Sequence, residues 1–517
     1  MNIYFLLVPL GLYILTLVYR IARSPLRSTP GPIGTRFTNL WYFNRVRKAH
    51  FEQDNIQLHR QYGPVVRVGP NHYSISDPAA VKTVYGTGTK FTKAAWYEGW
   101  KHPSPENWTL FPDRNVKRHG DTRKRFSSLY SMSSLVHYEA FVDDCADVLS
   151  QRLLEHAMQR KRLNMGHWFQ CYAFDVISSI TFGGRFGFLD NGDDIENAID
   201  ALGRLMVYST LVGIYPQWHS RLYGLLSRFA WSGAGGRAYI MQYTKGKIAR
   251  HNAEKTDPEA YPAQTMPKTQ DFLEKMVLAR DKDPEKVTDY HLFMMCQSNV
   301  IAGSDTTAIS LSSILYHLLR EPTALQRLRD EIDGFTAQGR CSDKVTFKES
   351  QEMPYFQAVL KEALRIHSAT GLPLWREVPS DGAEISGRFF PGGTVVGINT
   401  WVAHYNDDIF PDAKTFRPER WIDEDPARLK LMNDMHMPVS TLLYSLRTTS
   451  IKAKRQFGLG SRTCIGKHIS ILEMSKLIPR LVRDFDFHLV HPERNWETHN
   501  FWFVKPMDFD VVVSPRS

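Results

Sequence analysis

The hydrophobic and polar positions of this chain mostly follow a helical period, with short alternating stretches near both ends. Residues 65–75 (VVRVGPNHYSI) predict a hairpin that turns at Gly-Pro-Asn. Residues 119–149 predict one or two helices, residues 164–182 predict another, and a further helix starts at Pro354 and ends near His367. The glycine-rich stretch that follows predicts a mainly β segment. The pattern as a whole predicts a mainly α protein with small β-sheets, an α+β fold.

The longest predicted helix covers residues 288–320. Thr288 is a suitable N-cap, and Pro322 bars continuation of the helix. Residues 292–302 are almost all apolar, so we expect the middle of this helix to be buried. It then carries a glycine, an acid and hydroxyl side chains at 303–307, a cluster that is costly inside an apolar helix unless it serves a function.

The N-terminal residues 1–20 predict a membrane anchor. Residues 3–19 carry no charge and are followed by Arg20, Arg23 and Arg27, and the length of the apolar run is near the lower limit for a transmembrane helix. A cleaved signal peptide is the alternative, which is weakened because a basic n-region and a small-residue cleavage site are both missing. The arginines after the run predict that the rest of the chain faces the cytoplasm.

Beyond the anchor, the sequence predicts a basic linker with proline and glycine at 21–34. No internal repeat or second boundary follows, so residues 35–517 are expected to form a single catalytic domain. The five cysteines are widely spaced and form no CxxC motif. This spacing disfavours a disulfide framework or a structural zinc site and suits a reducing compartment.

The charge of the chain and its distribution indicate which kinds of partner the protein can bind. The net charge is +10 and the pI is 9.2, yet lysine and arginine are spread along the chain without a basic run interleaved with aromatics. This distribution disfavours nucleic-acid binding. A basic surface that faces an acidic protein partner or an anionic membrane is the better interpretation.

The strongest chemical signal is the stretch FGLGSRTCIG, which begins at Phe457. Glycines such as Gly458 let backbone N–H groups approach the sulfur of Cys464 and stabilise an iron-bound thiolate. Arg462 can reach a haem propionate, and Gly466 can allow a helix to pack against the macrocycle. The plain alternative is a buried free cysteine in a glycine loop, which the combined pattern disfavours.

In this loop and in three further motifs, the chain resembles the cytochrome P450 family from about Pro30 to its end. Three further motifs stand in the expected order. Residues 302–307 (AGSDTT) match the oxygen-activation motif, residues 362–365 (EALR) match the Glu-x-x-Arg helix motif, and residues 416–421 (FRPERW) match the segment that completes a Glu-Arg-Arg network. The resemblance implies the cytochrome P450 fold, with haem b as cofactor and Cys464 as the axial ligand of its iron.

Glu362 and Arg365 lie three residues apart on one helix face and can pair. As an exposed pair they would contribute only about 0.2–0.5 kcal/mol. The resemblance implies instead a buried network with Arg420, in which removal of one partner costs about 3–5 kcal/mol. In that interpretation the three residues are structural and not catalytic.

The resemblance also implies cations that hold the haem propionates. Arg376 matches the strand arginine after the Glu-x-x-Arg helix, and His119 and Arg123 match a helix near the propionates. The family more often has tryptophan where His119 stands, although histidine can still donate a hydrogen bond. An ordinary basic helix on the surface is the alternative for residues 117–125.

For the reaction, the resemblance assigns Thr306 a hydrogen bond to dioxygen and Asp305 a relay of protons through water. Ala302 or Gly303 would leave room for dioxygen beside the helix. The alternative for the polar pair is ordinary hydrogen bonding to the helix backbone. An apolar and aromatic pocket, which suits a lipophilic substrate, is expected from Trp96, Tyr97, Trp100, Trp108, 206–215, 372–374 and 501–503.

Together these residues imply a haem-thiolate monooxygenase that activates O2 with electrons from an NADPH-dependent reductase. Residues 130–135 (YSMSSL) and 397–404 (GINTWVAH) resemble fungal microsomal members near the pisatin demethylases. That likeness implies terpenoid, polyketide or alkaloid metabolism at the endoplasmic reticulum membrane, where the sequon at Asn107 would stay unused. The alternatives are a haem isomerase or dehydratase that needs no reductase, which typically lacks the Asp305–Thr306 pair, and a non-catalytic haem protein.

Between Trp421 and Phe457 the chain is longer than the family usually needs. Residues 439–454 (VSTLLYSLRTTSIKAK) carry no motif there. We interpret them as the product of a retained intron, with a true surface insertion as the alternative. Transcripts without these codons would support the first interpretation, and full-length transcripts alone would contradict it.

Overall fold

The computed structural model describes residues 22–256, 270–437 and 460–516, together with residues 12, 15, 16 and 19. The predicted anchor at 1–20 therefore lies almost wholly outside the described residues. The segment 439–454 and the loop residues Phe457 and Gly458 lie outside them as well. No helix in the described part of the chain is long and apolar enough to cross a membrane.

Helices make up most of the described chain, as the hydrophobic pattern predicts. The α-helices cover Leu40–Arg47, Phe51–Tyr62, Pro78–Tyr85, Val116–Phe126, Met132–Leu135, Glu139–Gln159, Met165–Phe182, Phe188–Asn191, Ala198–Val212, His219–Leu226, Gly233–Thr256, Phe272–Lys282, Asp289–Arg320, Pro322–Ala337, Phe347–Gln351, Pro354–Ile366, Thr400–His404, Pro426–Met435 and Lys467–Asp484. Short 3-10 helices cover Ile33–Arg36, Ala95–Trp100, Val136–Tyr138, Ile195–Asn197, Pro216–Trp218, Pro418–Trp421 and Gly460–Arg462.

The helix Asp289–Arg320, called the central helix from here on, is buried through most of its length. Its start is the predicted one, because the main-chain N–H of Thr288 donates to Nδ1 of His291 at 3.2 Å. Its end is also the predicted one, and Pro322 opens the next helix. The central helix packs along Met165–Phe182, which is buried at nearly every position, so these two helices form the middle of the core.

A five-stranded sheet contains the predicted hairpin. Its strand order is Val65–Gly69, His72–Ile75, Val395–Gly397, Arg376–Glu377 and Thr92–Lys93. The second and third strands are parallel and the other neighbours are antiparallel. The last pairing places Lys93 directly opposite Arg376, so two basic residues meet at the edge of this sheet.

Smaller sheets complete the described fold. The strand Asp510–Pro515 lies between Leu163–Asn164 and Phe485–Leu489, antiparallel to both. Two hairpins add Ala383–Ile385 with Arg388–Phe390, and Glu497–Phe501 with Phe503–Met507. The last hairpin reaches the central helix through Lys505, whose Nζ lies 2.8 Å from Oδ1 of Asp305.

Candidate functional site

One large cavity brings most of the predicted site residues together. It lies between the central helix, the loop 460–466 and the aromatic 3-10 helix Ala95–Trp100. The predicted residues that line it are Cys464, Arg462, Gly466, Arg376, Arg123, His119 and Thr306. Asp305 is not among the lining residues, and the positions of Phe457 and Gly458 are outside the described part of the chain.

Cys464 lies in the loop that connects the 3-10 helix Gly460–Arg462 to the helix Lys467–Asp484. Its side chain is partly accessible, and the access is from the cavity. Burial raises the pKa of the thiol, while the backbone N–H groups of Gly466 and Lys467 and the charge of Arg123 act in the opposite direction. The surroundings of the sulfur therefore supply groups that stabilise a thiolate, the form that binds metals.

Two glycines of this loop are needed for different reasons. Gly460 has a φ of +67°, and a Cβ at this position would lie 2.6 Å from the main-chain oxygen of Tyr85. Only glycine fits there without strain. At Gly466, by contrast, an added Cβ would meet no protein atom within 4 Å, so the cavity is open above this residue.

A cluster of positive charge faces the same cavity, consisting of Lys93, Arg123, Arg376 and Arg462. Among the described residues that line the cavity there is no Asp or Glu. Burial and the neighbouring arginines lower the pKa of Lys93, and they lower the pKa of Arg462 to about 10. Burial, followed by the charges of this cluster, also lowers the pKa of His119 to about 3, so His119 is a neutral hydrogen-bonding group here.

The contacts of Arg462 show the same imbalance of charge. Its Nη1 donates to the main-chain oxygen of Asp113 at 2.7 Å, while its Nη2 is buried without a partner. The nearby carboxylate of Asp113 is already bound by Arg118, with two hydrogen bonds of 2.8 Å. Like charges that face each other across strands, as Lys93 and Arg376 do, are destabilising unless an anion lies near them. These residues therefore fit a haem, which brings an iron for a thiolate and two propionates for the cations.

The sequence prediction of this cluster missed Lys93. This lysine stands in no motif, and the residues next to it in the sequence give no sign of a binding site. Only the pairing of its strand with Arg376–Glu377 brings it to the cavity. Its Nζ lies 4.2 Å and 4.1 Å from the ring centroids of Tyr97 and Phe111, contacts that stabilise a buried cation.

The central helix presents Ala302, Gly303 and Thr306 to the cavity. The hydroxyl of Thr306 donates to the main-chain oxygen of Ala302 at 3.0 Å, which is the plain helix hydrogen bond that the sequence left as the alternative. The oxygen of this hydroxyl remains at the cavity wall and can accept a further hydrogen bond. Gly303 has another role, because a Cβ there would lie 2.6 Å from Cγ1 of Ile177. This glycine allows the close approach of two helices.

Asp305 is buried and is not among the residues that line the cavity. Its Oδ1 lies 2.8 Å from Nζ of Lys505 and also accepts a hydrogen bond from Gln170. Its Oδ2 is buried with no partner. The carboxylate is thus held by one oxygen and has the other free for a further donor. Neither Lys505 nor Gln170 stands in a motif, so the sequence prediction missed both.

The Glu-Arg-Arg network is found in its buried form. Oε1 of Glu362 accepts from Nη2 of Arg365 at 2.8 Å, from Nε of Arg420 at 2.9 Å and from the main-chain N–H of Arg417 at 2.9 Å. Oε2 accepts from Nε of Arg365 and from Nε1 of Trp421, both at 2.9 Å. Burial raises the pKa of Glu362, but the two arginines outweigh burial and the pKa is lowered overall. The carboxylate is therefore ionised and fully hydrogen-bonded in the core.

The aromatic pocket is only partly the predicted one. Of the residues expected there, Tyr97, Trp100, Met206, Leu374, Trp502 and Phe503 line the cavity. Trp96 and Trp108 are not among its lining residues and instead pack against other rings, with centroid distances of 5.1 Å from Trp96 to Trp502 and 5.8 Å from Trp108 to Tyr290. The sequence prediction missed the polar lining residues, which include Gln297, Asn299 and Arg237.

Comparisons with known proteins show the family to which the chain belongs. A family model described as Cytochrome P450 matches residues 30–510. A pisatin demethylase of Fusarium vanettenii is 36% identical over 511 residues, covering 98% of this chain and 93% of the relative. A cytochrome P450 monooxygenase of Aspergillus terreus is 34% identical over 485 residues, with 93% of each chain covered. Another from Emericella nidulans, cicH, is 33% identical over 513 residues, with 98% and 97% covered. The resemblance in the motifs is thus confirmed: the chain belongs to the cytochrome P450 family and is an oxidoreductase of its monooxygenase class.

Proposed function

We propose that this chain is a haem-thiolate monooxygenase that uses O2 and electrons from an NADPH-dependent reductase to oxidise a lipophilic small molecule. The observation that carries the proposal is one cavity lined by Cys464, by Thr306 and by four cations without a carboxylate counterpart. Because these relatives are fungal, we place the reaction in secondary metabolism of terpenoids, polyketides or alkaloids.

Different lining residues would hold different parts of the cofactor. Haem b, when bound, supplies the redox-active iron at which O2 is activated for oxidation of a C–H bond. Cys464 would ligate the iron as a thiolate, and the backbone N–H groups near its sulfur would stabilise that form. The propionates would be held by charge-assisted hydrogen bonds from Lys93, His119, Arg123, Arg376 and Arg462.

Thr306 and Asp305 would move protons into the cavity. The Thr306 hydroxyl lies at the cavity wall, where it can accept a proton from one side and release its own on the other. Asp305 follows from the neighbouring position of the same helix, with its Oδ2 free for a water molecule. We assign Lys505 the role of a positioning residue, because its ammonium pairs with the buried carboxylate of Asp305 and orients it.

The aromatic part of the cavity wall selects for an apolar substrate. The rings of Tyr97, Trp100, Phe111 and Trp502 contact one another, with centroid distances between 5.6 Å and 6.3 Å. Rings packed in this way form a stiff apolar surface that excludes water. A lipophilic molecule with a flat face would bury most of its own surface against them.

We propose the predicted domain layout for the working enzyme, with an anchor at 1–20, a linker at 21–34 and one catalytic domain at 35–517. The anchor would hold the enzyme on the cytoplasmic face of the endoplasmic reticulum membrane, beside a membrane-bound reductase. The net charge of +10 favours docking of an acidic reductase surface. Residues 439–454 remain, in this proposal, the product of a retained intron.

Electron transfer from NADPH tests the proposal without knowledge of the substrate. The purified holoprotein is mixed with NADPH, a fungal cytochrome P450 reductase and carbon monoxide under anaerobic conditions, and the absorbance of the reduced carbonyl form is followed. We expect this absorbance to rise only when both NADPH and the reductase are present. If only a chemical reductant produced it, the alternative of a haem isomerase or dehydratase that needs no reductase would be favoured.

A further inference from the structure

The cavity holds a fifth cation that lies apart from the cluster assigned to the propionates. Arg237 belongs to the helix Gly233–Thr256, lines the same cavity and is only 7% exposed. Its guanidinium bonds to the main chain of Gly99 and Trp100 and to the side chain of Ser209. None of these partners belongs to the propionate cluster, so Arg237 lies in a separate corner of the cavity.

Arg237 has only neutral partners among the described residues. Its Nη1 donates to the main-chain oxygen of Trp100 at 2.7 Å, and its Nη2 donates to the main-chain oxygen of Gly99 at 3.1 Å and to Oγ of Ser209 at 2.9 Å. Its Nε is buried without a partner. Burial lowers the pKa of Arg237 to about 10, so the side chain remains a cation at neutral pH. A buried cation without a counterion is costly, and an anion that binds there would remove this cost.

A second unsatisfied donor belongs to the same corner. Trp100 lines the cavity, is 7% exposed, and its indole Nε1–H has no partner. The hydrogen bond from Arg237 to the main chain of Trp100 places the two residues side by side. An indole N–H and a guanidinium N–H on neighbouring side chains are donors of the kind that a carboxylate accepts.

We propose that Arg237 and Trp100 form a recognition site for a carboxylate on the substrate, so that the enzyme acts on lipophilic acids. The apolar body of such a molecule would lie against the neighbouring aromatic wall, where Trp502 is 5.9 Å from Trp100 by ring centroids. This inference rests on the proposed function, since it names the substrate class of the same cavity. Arg237 would determine specificity and would take no part in proton transfer.

Matched acids and amides test this assignment. The purified holoprotein is dialysed at pH 7.5 against benzoic, 2-naphthoic and 2-anthracenecarboxylic acid and against the corresponding primary amides, which have nearly the same shape. We expect at least one acid to bind tenfold or more tightly than its amide. Arg237→Gln should remove this preference by weakening the acid alone, and Trp100→Phe should reduce it. Ser209→Ala, which removes a neutral acceptor from the same guanidinium, should leave the preference in place.

The comparison of acids with amides on the native protein does not depend on the folding of any variant. It therefore tests the carboxylate site by itself. Absence of acid preference at all three ring sizes, including a failure of every acid to bind, would overturn the carboxylate site. Persistence of the preference in folded Arg237→Gln would overturn it as well. Arg237 would then have only a structural role, in which it bonds its helix to the main chain of Gly99 and Trp100. The haem spectrum of each sample is recorded in parallel. An intact thiolate-type spectrum with no acid preference contradicts this inference alone, whereas a missing spectrum contradicts the proposed function.

Discussion

Replacement of Glu362 by glutamine changes the most densely bonded carboxylate of the Glu-Arg-Arg network while it keeps the shape of the side chain. In the native protein the two oxygens of Glu362 accept five hydrogen bonds, and the side chain is fully buried. The amide of Glu362→Gln turns one acceptor into a donor that faces other donors. It also leaves the guanidinium groups of Arg365 and Arg420 without a counterion.

The magnitude follows from what the two arginines retain. Each guanidinium still donates to three main-chain oxygens: Arg365 to those of His404, Ala413 and Thr415, and Arg420 to those of Pro411, Asp412 and Thr415. These carbonyls keep the N–H groups bonded but do not neutralise the charge. We therefore expect a loss of about 3–5 kcal/mol, the usual cost of breaking a buried ion pair. That loss is a large part of the roughly 5–15 kcal/mol by which folded proteins are stable.

The assay is urea unfolding followed by tryptophan fluorescence, with Glu352→Gln as the matched control. Glu352 pairs with Arg340 at 3.1 Å, but both side chains are more than 40% exposed, so its loss should cost less than about 1 kcal/mol. Because the pKa of Glu362 is lowered in the fold, its stabilisation should be present above the ordinary carboxyl pKa and fade as the pH falls below it. A free energy of unfolding for Glu362→Gln within about 1 kcal/mol of that for Glu352→Gln would refute the reasoning.

Three further changes test other parts of the structure, each by urea unfolding. Gly303→Ala places a Cβ 2.6 Å from Cγ1 of Ile177 and should cost about 1–3 kcal/mol; with Ile177→Ala added, the combined loss should be smaller than the sum of the two, and simple additivity would contradict the clash. Burial raises the pKa of Glu52 to about 7, so Glu52→Gln should be about 3 kcal/mol more stable than the native protein at pH 8. That gain should shrink as the pH falls from 7 toward 4.5, and a gain that is independent of pH would contradict it. Lys505→Met leaves the buried Asp305 carboxylate unpaired and should cost about 1–3 kcal/mol, since Lys505 is itself 29% exposed; Asp305→Asn in the same chain should recover part of this loss, and no recovery would argue against the ion pair.

Local signals in the sequence predicted the elements that depend on local chemistry. The hairpin at 65–75 turns where glycine, proline and asparagine stand, and the central helix begins at Thr288 and ends before Pro322. The helix Met165–Phe182 likewise begins after Asn164, whose side chain caps it. Caps and turn residues act on their own neighbours, so a single sequence is enough to identify them.

Contacts between distant segments could not be predicted in this way. Lys93 reaches the cavity only because its strand pairs with that of Arg376, and Lys505 reaches Asp305 from a hairpin 200 residues further along the chain. Nothing in the local pattern of these lysines distinguishes them from surface residues. Arg237 is similar, because its guanidinium bonds to the main chain of Gly99 and Trp100, more than 130 residues earlier in the sequence.

Gly303 shows how the packing of helices can add a reason for a residue that its motif does not give. In the sequence it stands beside Ala302 and Thr306, and room for dioxygen is the expected reason for its small size. Gly303 does line the cavity, as Ala302 does. Its missing side chain also makes space for Ile177 of the neighbouring helix, a contact that the motif could not predict.

The carbon monoxide difference spectrum of the reduced holoprotein shows whether the thiolate of Cys464 ligates the haem iron. The native protein and Cys464→Ala are compared at equal haem and protein content. The structure predicts a strongly red-shifted Soret band in the native protein that is absent from Cys464→Ala. The same band in both proteins, or no haem binding by the folded native protein, would contradict this ligation.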